Sequence, residues 1–442
     1  MSEFPNLSSA VPTDRSPDLS PDLSPDLSPD LSPDALPDVL PDVLPKVSRR
    51  SPWGRFLGLK LALAVVLAGV LRLDFWAYES QDFLWFLQPW YDFIQANDRF
   101  FALKEDFFNY NPTYIYLLIL WSYLFPQFSA LTVVKSIGVV LDLVGAYWVF
   151  RWVGASGARG TEGEIDRQGW QYDWQWGAIA AVTLLLTPTV VLNGSYWGQC
   201  DMGYTVAVLA GLYGLGQGAP RWGLVGLTVG LALKLQAMFT FPVLGVLLLQ
   251  GKGLRWRDLW VMPVTYGATL VPAAIAGHPW GDLLTVYWRQ FNTYDRLTLN
   301  APSIYQWLPQ ADYATFTRLG LILAGGATLG LMWQVVRRYD RLSAAQLLQV
   351  ALGFHVLLPW LLPKMHDRYL FSADVLALTL AFIRPRFTAV AVATIGISLG
   401  SYAPYLLGRE VVSLKGLAIV LGIVVIEVWW DLLKRGKVAD QE

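Results

Sequence analysis

Seven acids crowd one short stretch of the chain, from Asp74 to Pro112. They are Asp74, Glu79, Asp82, Asp92, Asp98, Glu105 and Asp106, set against only Arg99 and Lys104. The stretch is also dense in Trp, Phe and Tyr. A connecting loop needs neither property. A positioned carboxylate takes a proton from a reacting hydroxyl, and aromatic rings at a membrane surface sit at headgroup level and stack on sugars. Three later segments carry complementary groups. Asn193 to Asp201 reads NGSYWGQCD, and Pro363 to Tyr369 reads PKMHDRY. Residues 278–312 include Trp288, Arg289, Asn292, Tyr294, Asp295, Arg296, Asn300, Tyr305 and Trp307. Carboxylates and amides bind hydroxyls, Arg and Lys neutralise phosphate, and ring faces cover sugar C–H faces. The set suits a ligand that carries both sugar hydroxyls and an anionic phosphate.

The elements that must position these groups are membrane helices. The chain has 442 residues, 54% of them hydrophobic, with mean hydropathy +0.40. A soluble domain is nearer ~45–50% apolar and lacks long chargeless runs. Net charge is −1, so nothing points to nucleic acid. One cysteine, Cys200, excludes an internal disulfide and a cysteine-based metal site. His278, His355 and His366 are too dispersed for a His-rich one. Residues 1–50 form a polar leader in which SPDL recurs from Ser16 to Leu31. Proline every fourth residue or so forbids a helix interior, so a disordered low-complexity tail is expected.

Arg49, Arg50, Arg55 and Lys60 precede an apolar run that ends at Leu73. Basic flanks stay cytoplasmic, so this first span runs outward and delivers the acidic aromatic loop to the outer face. Further apolar runs cover about 113–128, 130–150, 176–192, 203–217, 222–250, 259–277, 315–334, 345–363, 369–383, 387–405 and 413–433. The expected fold is an all-α polytopic membrane protein of about 11–13 transmembrane helices. Arg221, Lys252, Arg255, Arg257, Arg337, Arg338, Arg341, Arg384, Arg386, Lys434, Arg435 and Lys437 then fall inside. One conflict remains: if 113–128 and 130–150 both cross, the charged loop 151–175 lies outside, where the later bases do not want it. The run 113–128 is therefore expected to be short, partial or oddly inserted. The run 222–250 has one charge, Lys234, and cytoplasmic bases at both ends. Two full spans need about 40 residues, so a hairpin of short helices with Lys234 and Gln236 at its tip is expected. A lysine at that depth costs about 2.5–3.5 kcal/mol and needs a partner or a wet cavity, unless it snorkels.

No nucleotide-binding or hydrolase signature is present. Gly251-Lys252-Gly253 lacks the Ser/Thr and the upstream glycine of a P-loop, and G-x-S-x-G and HExxH are absent. Five pieces instead resemble bacterial GT-C glycosyltransferases related to GPI mannosyltransferase 2. They are QDFLWFLQPWYDFI, NYNPTYIYLL, NGSYWGQCDMGYT, LALKLQAMFTFPVL with LNAPSIYQW, and PKMHDRYLFSADVLAL, spread in order over roughly 56–405. Asp367 stands where the family carries Glu, Ser303 replaces the second Asn of its NAPN motif, and the first loop has no DxD. The resemblance implies a GT-C-like fold whose first outer loop carries short interfacial helices. It divides the chain into a disordered tail (1–50), a transmembrane catalytic module (51–405), and a last transmembrane helix with a basic tail (406–442).

It further implies an inverting transferase in the plasma membrane, moving a mannose-like hexose from a polyprenyl-phosphate-linked donor to a glycan, lipid or protein hydroxyl on the outer face. Such a donor reaches the site from the bilayer, so no nucleotide fold is needed. Asp82 matches the family's first-loop acid and is the expected general base, with Asp74 as rival and Asp92 fixing the loop. Arg368, His366 and Lys234 are expected at the donor phosphate. Asp201, Gln199, Trp197, Asp367, Gln236, Asn300 and Tyr305 are expected at sugar or acceptor, with Trp307 beside them. Asp201 either contacts the acceptor, assists a metal, or caps the helix starting near Gly203. If a divalent cation such as Mg or Mn takes part, Asp82 and Asp201 are its candidate ligands. The competing class is a lipid or sugar transporter. That class shows internal repeats and polar groups midway through several spans, whereas here the polar groups gather on one face.

Overall fold

Apolar runs in lipid can satisfy their backbone groups only as helices or closed barrels, and among the described residues the apolar runs of this chain are helical. A computed structural model describes residues 52–156, 173–291, 293, 295–308 and 312–435. The SPDL leader, Asn292, Tyr294 and the basic tail beyond 435 lie outside the described residues. Helix α1 (Pro52–Asp74) leads into the acidic loop. That loop folds into a π turn (Phe83–Leu87), α2 (Gln88–Ala96) and a 3-10 turn (Arg99–Lys104). Asn111 and Ser129 then cap α3 (Pro112–Leu124) and α4 (Ala130–Ala155) by accepting the N–H groups of Thr113 and Thr132. Helix α5 (Trp174–Leu186) ends before Pro188, which cannot continue its ladder. Helix α6 (Pro188–Val191) and the π turn Leu192–Trp197 leave at 53° to it. Then come α7 (Asp201–Gly216), α8 (Pro220–Leu233), α9 (Phe241–Gln250), α10 (Val261–Ala276), α11 (Trp280–Phe291) and α12 (Tyr313–Arg338). The last helices are α13 (Ala344–Leu361), α14 (Phe371–Ile383), α15 (Thr388–Leu406) and α16 (Leu414–Arg435).

Among the described residues, seven helices are long and apolar enough to cross a membrane, or up to eight if the bent α5–α6 pair is one span. That falls short of the 11–13 read from hydropathy. Several runs fold into shorter helices: Pro112–Leu124, Leu235–Gln250 and Phe371–Ile383. Thirteen residues rise about 20 Å, short of a hydrocarbon core of about 30 Å. Hydropathy alone does not separate such a buried interior helix from a span.

Helix α3 removes the topology conflict. Asn111 donates to the Tyr266 hydroxyl at 3.1 Å, in the first half of α10. One turn further on, the Tyr116 hydroxyl donates to Thr269 O at 2.9 Å and accepts from the Ala273 N–H at 3.1 Å. His278, just past α10, contacts Leu103 O of the first loop at 2.7 Å. So α3 climbs parallel to α10 and returns to the end from which the chain came. That is the path a re-entrant helix takes, and the next helix, α4, is long and apolar enough to make the crossing. Lys135 near the start of α4 donates to Phe75 O and Tyr78 O, each at 2.6 Å, which places that start beside the end of α1.

The 222–250 hairpin forms as its flanking charges require. Lys234 breaks α8 in an extended conformation (φ −158°, ψ 138°), and a 3-10 turn (Leu235–Thr240) leads into α9. The far ends of the hairpin meet again around Pro220 and Gly251. The larger apolar core packs α7, α8, α13, α14 and α16, and a second ties the folded first loop to α3, α4 and α10. Antiparallel α13 and α14 hold the 362–370 connection between them. A two-stranded parallel ribbon, β1 (Thr298–Leu299) with β2 (Met365–His366), pins that connection to the 278–312 segment.

Candidate functional site

At the end of the bundle reached by α1, the convergent segments enclose a cavity of about 590 Å³. Asp82 stands on its wall. Ser80 sets the approach: its hydroxyl donates to Trp197 O at 2.6 Å and accepts the Phe83 N–H at 3.1 Å. This fastens the start of the first-loop turn to the WGQC segment. Gly198 takes a left-handed conformation (φ 77°), which lets the chain turn back so that the Gln199 N–H reaches Asn193 O at 2.8 Å. Asp82 Oδ2 then accepts from Gln199 Nε2 (2.6 Å), Trp197 Nε1 (3.0 Å) and Arg368 Nη1 (3.1 Å). Among the described residues, its Oδ1 accepts only from the Tyr405 hydroxyl, at 2.8 Å.

Behind this wall runs a ladder of alternating charge. Arg368 lies over the Trp197 ring at 5.4 Å, and its Nε is 4.0 Å from Asp201 Oδ2. Asp201 pairs with Lys234 and accepts from Asn193 Nδ2 at 2.8 Å. Lys234 in turn sits 5.6 Å from the Tyr110 ring centroid. Both members of the Asp201–Lys234 pair are buried, so losing either leaves an unpaired charge at a cost of about 3–5 kcal/mol. Two cations balance two carboxylates in this ladder. Lys364 and Arg296 add positive charge to the cavity wall, with no acid paired to either among the described residues.

The ribbon supplies the next two groups. Lys364 N–H donates to Leu297 O at 2.8 Å and Asp367 N–H to Leu299 O at 3.0 Å. Asn300 (φ 60°) and Lys364 (φ 64°) hold left-handed backbone on either side of it. Such strain persists only where surrounding structure enforces it, and it clusters at functional sites. Burial, with the charges of Arg368 and Lys234, drives the His366 imidazole down to about 3, so it is neutral at ordinary pH. Burial pushes the Asp367 carboxyl up to about 7 against the pull of Arg368. On the residues that line the cavity, two buried atoms have no hydrogen-bond partner among the described residues: the acceptor Gln236 Oε1 and the donor Arg368 Nε.

Of the expected residues, Asp82, Gln199, Lys234, Gln236, Asn300, His366, Asp367 and Arg368 line this one cavity. Trp197 and Asp201 stand behind it as supports and do not line it. Asp201 is 2% exposed and opens α7, so it is placed to hold Lys234 and Arg368 rather than to meet an acceptor. Tyr305 is turned away, with its hydroxyl donating to Leu361 O at 2.8 Å. Trp307, Asp74 and Asp92 are also off the cavity wall. Asp82 and Asp201 do not fit as shared ligands of a divalent cation. Their oxygens already face Arg368 and Lys234, and no group of three or more His, Cys, Asp or Glu able to hold a metal occurs among the described residues.

Sequence reasoning missed Tyr405. It donates to Asp82 and stacks on Trp197 at 4.8 Å, but a tyrosine at the end of a span reads as an ordinary interfacial anchor. It also missed that Cys200 lines the cavity, nearly buried, with its thiol pushed up by burial. No family profile and no curated protein matches this chain.

Proposed function

We propose that the protein is a membrane glycosyltransferase that moves a mannose-like hexose from a polyprenyl-phosphate-linked donor to an acceptor hydroxyl, with inversion. One observation carries the reading. The segments that resemble the GT-C family (the first loop, NYNP, WGQCD, the Lys234 hairpin, NAPS and HDRY) all reach a single cavity, although they lie up to hundreds of residues apart. The charges at the two ends of the bundle support an outward-facing site. Acids gather at the cavity end, while Arg221, Arg255, Arg257, Arg338 and Arg386 sit at the other.

The chemistry follows from the wall. An acceptor hydroxyl beside the less occupied Oδ1 of Asp82 gives up its proton to that oxygen as it attacks the anomeric carbon. The bond from that carbon to the phosphate oxygen breaks, and lipid phosphate leaves with the electron pair. Arg368, Lys364 and Arg296 offset the charge on it, and neutral His366 lines the same wall. The orphaned Gln236 Oε1 suits a sugar hydroxyl.

Purified protein incubated with labelled lipid-phosphate-sugar and a panel of acceptors is expected to release polyprenyl phosphate. Movement of the lipid across a bilayer without turnover would favour a transporter and overturn the proposal. Asp82→Asn is expected to bind donor yet lose about a hundredfold to ten-thousandfold in turnover. Wild-type turnover would remove Asp82 as the base.

A further inference from the structure

The end of the bundle away from the catalytic cavity holds a second one of about 460 Å³. It lies where the α7–α8 turn meets the α9–α10 connection. Lys252, Arg255 and Arg257 line it, and its one acid is Asp258. That acid is already engaged: Asp258 Oδ1 pairs with Arg221 Nε at 3.2 Å, and Oδ2 accepts the Arg255 N–H at 3.2 Å. Lys252 reaches Asp340 at 3.1 Å, on an exposed surface where such a pair is weak. Arg255 and Arg257 make no side-chain ion pair among the described residues.

The floor of the cavity is bare backbone. Gly251 (φ 65°) and Gly253 (φ 97°) take left-handed conformations, and a Cβ on either would meet no atom within 4 Å. Exposed tryptophans flank the cations. Trp222 is 75% exposed, Trp256 69% and Trp260 54%. Exposed Leu249 and Val264 extend the apolar surface along α9 and α10. A free anion needs the cations but gains nothing from three bared indoles and an apolar wall. A phosphodiester carrying acyl chains uses both. Indoles at this level sit among headgroups, and basic pockets between helices are where anionic headgroups bind.

We propose that this cavity binds the phosphate headgroup of an anionic glycerophospholipid. Arg255, Arg257 and Lys252 hold the phosphate, and the acyl chains lie along the exposed faces of α9 and α10. The site lies at the root of the hairpin that carries Lys234 at its tip.

Native mass spectrometry of the full chain in mild detergent tests this, with phosphatidylglycerol, phosphatidylcholine and inorganic phosphate as probes. One phosphatidylglycerol is expected to stay bound in preference to phosphatidylcholine. Each cation removed weakens it about fivefold, so Arg255→Gln with Arg257→Gln weakens it roughly twentyfold or more. Both side chains are exposed, so the fold tolerates the change, and the charge-keeping pair Arg255→Lys with Arg257→Lys is expected to retain binding. Lys434→Gln removes a charge from the same end without touching the cavity and is expected to leave binding unchanged. Equal retention of phosphatidylcholine, equal weakening by Lys434→Gln, or displacement by excess inorganic phosphate would each overturn the proposal. The readout is independent of sugar transfer, so it stands or falls apart from the catalytic reading.

Discussion

Asp82 accepts hydrogen bonds from three separate parts of the chain, and the division of its two oxygens matters. Oδ2 is filled by Trp197, Gln199 and Arg368, while Oδ1 meets only Tyr405 among the described residues. Removing that hydroxyl takes one hydrogen bond from a charged group, worth about 1.5–3 kcal/mol. Tyr405→Phe is therefore expected to slow turnover by roughly tenfold to a hundredfold while leaving donor binding intact, measured by single-turnover assay. Asp367 gives a pH signature. With its carboxyl at about 7, it is neutral below that pH and negative above it. The added negative charge beside Arg368 opposes an anionic donor, so donor affinity is expected to fall as pH rises through about 7. Asp367→Asn should flatten that limb in a binding titration. Stability follows the same sign: burial of this group costs nothing at pH below its unfolded value and increasingly more as pH climbs toward 7. Lys234 stood out in the sequence because a charge in the middle of an apolar run needs a partner, whereas Asp82 and Arg368 stood out only through the family resemblance. Tyr305 misled because its hydroxyl satisfies a carbonyl, that of Leu361, and the residue does not line the cavity.

At the scale of elements, one ion pair that the sequence did not announce joins three helices. Arg72 of α1 donates to Asp142 of α4 at 2.7 and 3.2 Å, and to Leu185 O of α5 at 2.8 Å. Both side chains are buried. In the sequence Arg72 is a lone base near the end of one apolar run and Asp142 a lone acid within another, so only their meeting reveals the joint. Breaking it from one side strands the other charge, at about 3–5 kcal/mol, whereas replacing both with apolar residues is near neutral. Arg72→Leu and Asp142→Leu are each expected to lower the thermal transition in detergent by several degrees, and the double variant to recover most of the loss. The Lys234 hairpin was foreseen because charged flanks on both ends of a run too short for two spans leave few alternatives. The bent α5–α6 pair was not, since Pro188 marks a break but says nothing of its 53° angle.

At the scale of the whole molecule, the all-α membrane class followed from hydropathy, because unpaired backbone in lipid is so costly. The span count did not follow, since interior helices and spans share one composition. The re-entrant path of α3 makes a distinctive topology prediction. Reporters inserted after Asp98 and after Gln127 are expected on the same side of the membrane, and one inserted after Ser156, at the end of α4, on the other. A change of side between the first two would mean that α3 crosses.

The chain's lone cysteine has a practical bearing. Cys200 lies on the cavity wall beside Gln199, so any thiol label on this protein reports from the site itself, with no background to engineer away. Its slow, burial-limited alkylation becomes a clock for occupancy, lengthening when a ligand fills the cavity and needing no knowledge of which sugar the ligand carries.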